Sequence, residues 1–308
     1  MSTKDMFSTK FDPQHGKAVS VAPGVMRVTC GNTGPFTFQG TNSYILGEDT
    51  LAVIDPGPED EAHLETLLQA IGGRNVSHIF ITHTHIDHSP LAAELKSRTG
   101  AKIVGAAPHF AARELHLGEI NALDASADRN YKPDEILNDG QCVHGSGWTL
   151  QAIATPGHTA NHLSFALTDT GIVFTGDHIM AWATSIVAPP DGSMSQYMAS
   201  LDKMLARDDR LYFPGHGGPV NNPKQFVRGL KTHRKMRERA ILERLSKGDE
   251  TIPEMVKQIY RNTDPRLHGA AGLSVFAQLE ALIDKGLVSC DGDPSLEKRF
   301  KLTENIVL

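Results

Sequence analysis

The segment Thr82-His83-Thr84-His85-Ile86-Asp87-His88 puts three imidazoles and a carboxylate within six residues. Imidazole nitrogen and carboxylate oxygen are the donors preferred by zinc, manganese and iron, so this density points to a metal site. In an extended or turning backbone, residues two apart project the same way. His83 and His85 are therefore expected to share one cation, while Asp87 and His88, past the turn, address a second. More ligand types follow later apolar runs: His158 in Thr155-Pro156-Gly157-His158, Asp177 in Thr175-Gly176-Asp177-His178, and His216 in Pro214-Gly215-His216-Gly217. Each stands after a glycine, which lets backbone pack closely. Two adjacent divalent cations would acidify a water and stabilise a developing oxyanion, which is hydrolytic chemistry.

Such ligands need rigid supports, and the sequence supplies them as short β-branched runs bounded by breakers. Strands are predicted at Thr50–Asp55, His78–Thr82, Ala101–Gly105, Trp148–Ile153 and Gly171–Thr175. Helical spacing of Leu64, Leu67, Leu68 and Ile71 predicts a helix over Glu59–Ile71, and Pro90–Arg98 reads as another. Strands with interleaved helices give an α/β class.

From about Lys224 the texture changes. A basic helical pattern covers Gln225–Leu245, and Thr251 is placed as the N-cap of a helix with Pro253 in its first turn. A third helix is read over Leu273–Lys285, stopped by Gly286, then a hairpin formed by Leu287–Ser289 and Arg299–Leu302. That order suits a small winged-helix-like domain. The division is therefore read as residues 1–223, a catalytic domain, and 224–308, the appended module.

Of the 308 residues, 40% are hydrophobic and 21% charged, and the net charge is −6. This balance excludes a general nucleic-acid coat protein and a polybasic membrane binder. Cys30, Cys142 and Cys290 are too sparse for a disulfide framework and fit a reducing compartment. The N-terminal stretch has no apolar run of the signal-peptide kind, and no segment reaches the ~18 apolar residues of a membrane span. A cytoplasmic protein with no membrane partner is expected.

The ligand set resembles that of the metallo-β-lactamase fold superfamily. The resemblance implies an αββα sandwich with two divalent cations at one edge, zinc first, with manganese or iron also compatible. It implies that His83, His85 and His158 hold the first cation, Asp87, His88 and His216 the second, and that Asp177 bridges them. Asp55 would orient the histidine loop, and Asp87 would also orient the nucleophile as the catalytic residue. The implied activity is binuclear hydrolysis of an ester, thioester or phosphodiester by a hydroxide bridging the metals. His178 is read either as a leaving-group acid or as structural.

Within the superfamily the chain is most similar to the β-lactamase-like-protein-2 branch, which includes an endoribonuclease acting on single-stranded RNA. The segments that carry this are Phe36-Thr37-Phe38-Gln39-Gly40-Thr41-Asn42-Ser43-Tyr44, His88-Ser89, and the helix around His233–Glu238 with its winged-helix-like tail. The alternatives are thus an RNA-cleaving enzyme or a glyoxalase II-like thioesterase, on an RNA or a small-molecule substrate. The basic run Lys231–Arg239 offers charge for phosphates. Equally, the module could close one wall of the active-site groove or form a homodimer contact. Pro189-Pro190-Asp191-Gly192 reads as a lid or a rigid surface turn, and Thr184 and Ser185 as possible substrate contacts.

Overall fold

The computed structural model describes residues 6–116, 119, 121 and 124–303. The first five residues of the N-terminal stretch lie outside them. The first sheet has seven strands in sequence order: β1 Ala18–Ala22, β2 Val25–Thr29, β3 Asn42–Leu46, β4 Thr50–Ile54, β5 Asn75–Ile81, β6 Lys102–Gly105 and β7 Glu135–Ile136. The second has five: β8 Cys142–Gly145, β9 Trp148–Ala154, β10 Leu163–Leu167, β11 Ile172–Gly176 and β12 Leu211–Pro214, in the order β12-β11-β10-β9-β8. Helices α1 Glu61–Ile71 and α2 Leu91–Thr99 cover the first sheet, and α3 Met194–Leu205 with α4 Pro223–Ser246 cover the second. The expected αββα sandwich forms.

Period-2 alternation explains the layers. In β4, Leu51 and Val53 face α1, while Ala52 and Ile54 face the opposite sheet. Between the sheets lie Tyr44, Phe80, Trp148, Phe165, Phe174 and Phe213. Both faces of the central strands are covered, which is why they read as near-continuous apolar runs.

Helix α1 starts two residues later than predicted because Asp60 caps it, its side chain accepting from the His63 N–H. His63 is 4% exposed, and its Nε2 lies 2.9 Å from Ser43 Oγ, which donates to the Asp55 carbonyl. Burial lowers the His63 pKa to about 4, against the opposing pull of Asp60. The folded chain thus refuses a proton that the unfolded chain accepts below about pH 6.5. The stability His63 contributes is present above that pH and is lost as pH falls toward 4. Between pH 7.5 and 5 this amounts to about 2 kcal/mol. Denaturant unfolding of chelator-treated protein at the two pH values should show His63→Gln losing that much less than wild type. Equal losses would remove His63 from the account.

The C-terminal module holds α5 Ile252–Ile259, α6 His268–Asp284 and the pair β13 Val288–Cys290 with β14 Phe300–Leu302. Thr251 is the N-cap of α5, and its N–H donates to Glu254. Helix α6 starts five residues earlier than predicted. Its first turns, Gly269-Ala270-Ala271-Gly272, carry no apolar stripe, yet Ala271 packs in the module's core and Gly272 lies close against Ile252. Helix α4 serves two cores: Val227 and Leu230 pack on the second sheet's layer, Ile241 and Leu245 on the module. Sequence reading missed α3, although Met194, Tyr197, Leu201 and Met204 recur at helical spacing and Ser193 caps it. The three cysteines are free. Among the described residues no helix is long and apolar enough to cross a membrane.

Candidate metal centre

Five strands deliver the site from one edge. β4 and β5 are parallel, as are β11 and β12, while β9 reaches the direction of β11 through two antiparallel pairings. Their C-terminal ends lead into Asp55, the Thr82–His88 loop, His158, Asp177 and His216. Strand ends are where backbone can turn freely while the sheet fixes position.

All seven sequence-predicted residues converge. His85 Nδ1 lies 3.1 Å from His83 Nε2 and 3.0 Å from His158 Nε2. His216 Nε2 lies 3.1 Å from Asp87 Oδ2 and 3.3 Å from His88 Nε2. Asp177 stands between the two groups: Oδ2 is 3.7 Å from His158 Nε2 and 3.4 Å from His216 Nε2, and Oδ1 is 3.6 Å from His88 Nε2. The ligand atoms of His83, His85 and His158 lie within 4.8 Å of one another, as do those of Asp87, His88 and His216.

Outer partners decide which nitrogen faces inward. His158 Nδ1 donates to the Ile186 carbonyl at 2.6 Å, and His216 Nδ1 to the Gly40 carbonyl at 3.2 Å. His88 Nδ1 donates to Asp55 Oδ2 at 3.0 Å. Thr82 Oγ1 donates to Asp55 Oδ2, so it accepts from His83 Nδ1 at 3.0 Å. A neutral imidazole has one donor nitrogen and one acceptor. The Nε2 atoms of these four histidines therefore face the centre together with carboxylate oxygens, available to a cation once their protons leave, and Asp177 Oδ1 has no hydrogen-bond partner. Two nitrogens on one tetrahedral zinc stand about 3.3 Å apart, close to the spacing found. The donor set fits divalent cations.

Electrostatics agree with a site built for positive charge. Burial, reinforced by its histidine neighbours, holds His83 well below the ordinary value, and burial with His158 lowers His85 to about 3. At His88 and His216 burial opposes the charged form, but Asp87 and Asp177 outweigh it, raising His88 well above the ordinary value and His216 to about 9. Those histidines in turn hold both carboxylates below the usual range despite burial.

The Gln39-Gly40-Thr41-Asn42 segment acts as a strap. Asn42 donates through Nδ2 to the carbonyls of Pro214 and Gly217, and its N–H to that of Gly215. A side chain on Gly40, at φ +110°, would overlap the Cys30 carbonyl, so only glycine permits this approach. Gly215 is needed for contact: a Cβ there would come within 2.6 Å of Asp177 Oδ1.

The metallo-beta-lactamase superfamily model matches residues 36–216. The chain belongs to that superfamily. The beta-lactamase associated winged helix domain matches residues 251–298. A beta-lactamase-like protein 2 homolog of Drosophila melanogaster is 31% identical over 85% of this chain and 88% of its own length. An atrochrysone carboxyl ACP thioesterase of Aspergillus fumigatus is 30% identical over 72% of this chain and 65% of its own. A beta-lactamase domain protein of Burkholderia ambifaria shares the fold at TM-score 0.78 and 19% identity, covering 98% of both chains. The chain is a hydrolase of this superfamily.

Around this superfamily core, several sequence expectations resolve. His178, read as a leaving-group acid or as structural, is wholly buried and lies edge-on to Tyr197. The Pro189–Gly192 segment is buried rather than a surface turn or open lid: Asp191 is 1% exposed and lies 3.3 Å from His109. Ser185 is buried, with its hydroxyl against the Ile186 carbonyl. Sequence reasoning missed His162, whose Nε2 accepts from the Asp177 N–H, and Asn161, which donates to Thr84 Oγ1. Both follow His158 closely, the one signal available. It also missed the Phe38–Trp182 stack, with ring centroids 4.8 Å apart, beside Gly217.

Asp55 behaves as a hub, accepting from the Thr82 N–H, the Thr82 hydroxyl and His88 Nδ1. It adopts φ +47°, a strained conformation outside glycine. Asp55→Ala should weaken metal binding about 10- to 100-fold. Competition titration with a chromophoric chelator reads this directly, and an unchanged affinity would exclude the orienting role.

Proposed function

We propose that this chain is a binuclear metallohydrolase acting on a small-molecule ester or thioester. His83, His85 and His158 would hold one divalent cation, Asp87, His88 and His216 the other, with zinc the best match and manganese or iron also compatible with nitrogen and oxygen donors. The observation that carries the reading is Asp177, whose two oxygens lie between the clusters. Bound there, the cations would supply an ionised water near neutral pH and polarise the scissile group. The carboxylate of Asp87 is 23% exposed while the ligand-type histidines of its cluster are buried, so it can orient the attacking water by accepting its hydrogen bond. The ligand-type residues all lie within residues 1–223, and the chain from 224 on is read as the appended module, joined through α4, whose Val227 and Leu230 still pack on the second sheet's layer.

The favoured substrate class rests on charge. In α4, Lys231 pairs with Asp202, Arg234 is buried against the Ser185 carbonyl, and Arg237 lies over the Tyr260 ring. Arg234 is thus buried and Lys231 and Arg237 are partly covered, while Lys235 and Arg239 stay exposed, so the helix presents only part of its charge to a phosphate backbone. Within the ligand loop Ile86 is 48% exposed, and Phe36, three residues before the Gln39–Asn42 strap, is 54% exposed. Such a rim suits an apolar acyl group, and a relative carries the name thioesterase.

Purified protein loaded with zinc or manganese should be assayed on an acyl thioester, a glutathione thioester, a generic phosphodiester and single-stranded RNA. The expected result is thioester or ester turnover that Asp87→Ala abolishes. RNA cleavage with the same dependence would replace the substrate assignment. A chain that binds no metal would sink the whole reading.

A further inference from the structure

The middle of α4 reaches into the support of the ligand cluster. Arg234 is 4% exposed, and among the described residues no carboxylate pairs with it. A buried guanidinium needs fixed dipoles in place of water. Two are present. The guanidinium donates to the Ser185 carbonyl, and it lies over the Tyr197 ring at 5.0 Å. Both partners lead to the centre. Ser185 precedes Ile186, whose carbonyl fixes His158 Nδ1 at 2.6 Å. The Tyr197 hydroxyl donates to the His178 carbonyl at 3.1 Å, one residue beyond Asp177. Behind Arg234, its own carbonyl accepts from Gln278 of α6, a residue 3% exposed.

We propose that Arg234 is a positioning residue that holds His158 and Asp177 in register through Ser185–Ile186 and Tyr197, making the C-terminal helices part of the metal site. The inference rests on the metal assignment above. The guanidinium suits the task because its planar fork can donate to a carbonyl while its face lies on an aromatic ring. It gives the module a role that requires no nucleic acid. Arg237, one turn further along α4, is the internal control: it donates to the Ile259 carbonyl at 3.2 Å and stacks on Tyr260, both within the module.

The test measures zinc affinity of the full chain by chelator competition, with melting temperature recorded in parallel. Arg234→Met should weaken zinc binding about 10-fold, the lower end for an outer support. Arg237→Met should leave it within about twofold while also lowering the melting temperature. Arg234→Lys, which keeps the charge and loses the fork, should fall between wild type and Arg234→Met. Wild-type affinity in Arg234→Met, or equal weakening in both methionine variants, overturns the proposal. If Arg234→Met does not fold, Arg234→Lys decides: weaker zinc binding with a native circular dichroism spectrum supports it, and unchanged binding overturns it. A wild-type chain that binds no zinc, manganese or iron would overturn the metal assignment itself, a result distinct from failure of the Arg234 variants.

Discussion

Asp177→Asn should lower the metal content from two ions per chain to one or none and reduce hydrolysis by about 10^3-fold or more. The side chains are nearly isosteric, so the substitution tests charge. Asp177 Oδ2 lies 3.7 Å from His158 Nε2 and 3.4 Å from His216 Nε2, and Oδ1 lies 3.6 Å from His88 Nε2. An amide offers one neutral oxygen to this group of nitrogens and turns N–H groups toward the rest. Those N–H groups would compete with a cation for the same lone pairs. The backbone contact to His162 involves the Asp177 N–H and survives the change, so the fold should persist. Elemental analysis of the purified variant gives the stoichiometry, and steady-state kinetics give the activity. Two ions retained with near-normal turnover would remove Asp177 from its bridging role.

Chelation should destabilise the protein strongly. Without cations, the inward nitrogens of His83, His85 and His158 face one another at 3.0–3.1 Å in the interior. At most one proton can be shared along each contact, and burial resists protonating His83 and His85. A cation that binds only the folded chain stabilises it by about 2.7 to 4.1 kcal/mol at free concentrations 100 to 1,000 times its dissociation constant. For a unit of about 150–250 residues, such as the metal-carrying part of this chain, each kcal/mol moves the melting temperature by about 2–4 °C. Removing the metals should therefore lower it by roughly 5–15 °C. Calorimetry before and after a strong chelator, with zinc, manganese and iron added back separately, measures the loss and ranks the metals. A melting temperature indifferent to both steps would argue that the cluster is held by hydrogen bonds alone.

The parts of the site legible in sequence are those whose chemistry is local. Cation binding demands particular donors, so His83, His85, Asp87 and His88 crowd into one loop. The strands that present them announce themselves by apolar runs ending in Gly, Asp or Pro. The glycines before His158, Asp177 and His216 marked where strands turn, and the capped helix at Thr251 was readable from its own first turn. Helix α3 was harder to see because it follows the breaker-rich Pro189–Gly192 segment, which turned out to be buried packing.

Sequence by itself determined the donor types, their grouping after apolar strands and the α/β layering, since each depends on neighbours a few residues away. Tertiary structure decided which nitrogen each histidine turns inward. That choice lies with acceptors such as Ile186 for His158, 28 residues away, and Gly40 for His216, 176 residues away. It also decided the fate of the basic helix. Lys231, Arg234 and Arg237 read as surface charge along the chain, but packing supplies them with a carboxylate, carbonyls and aromatic faces from other elements. A one-dimensional pattern records that a charge exists. Only the folded chain shows whether solvent, substrate or the protein's own dipoles surround it.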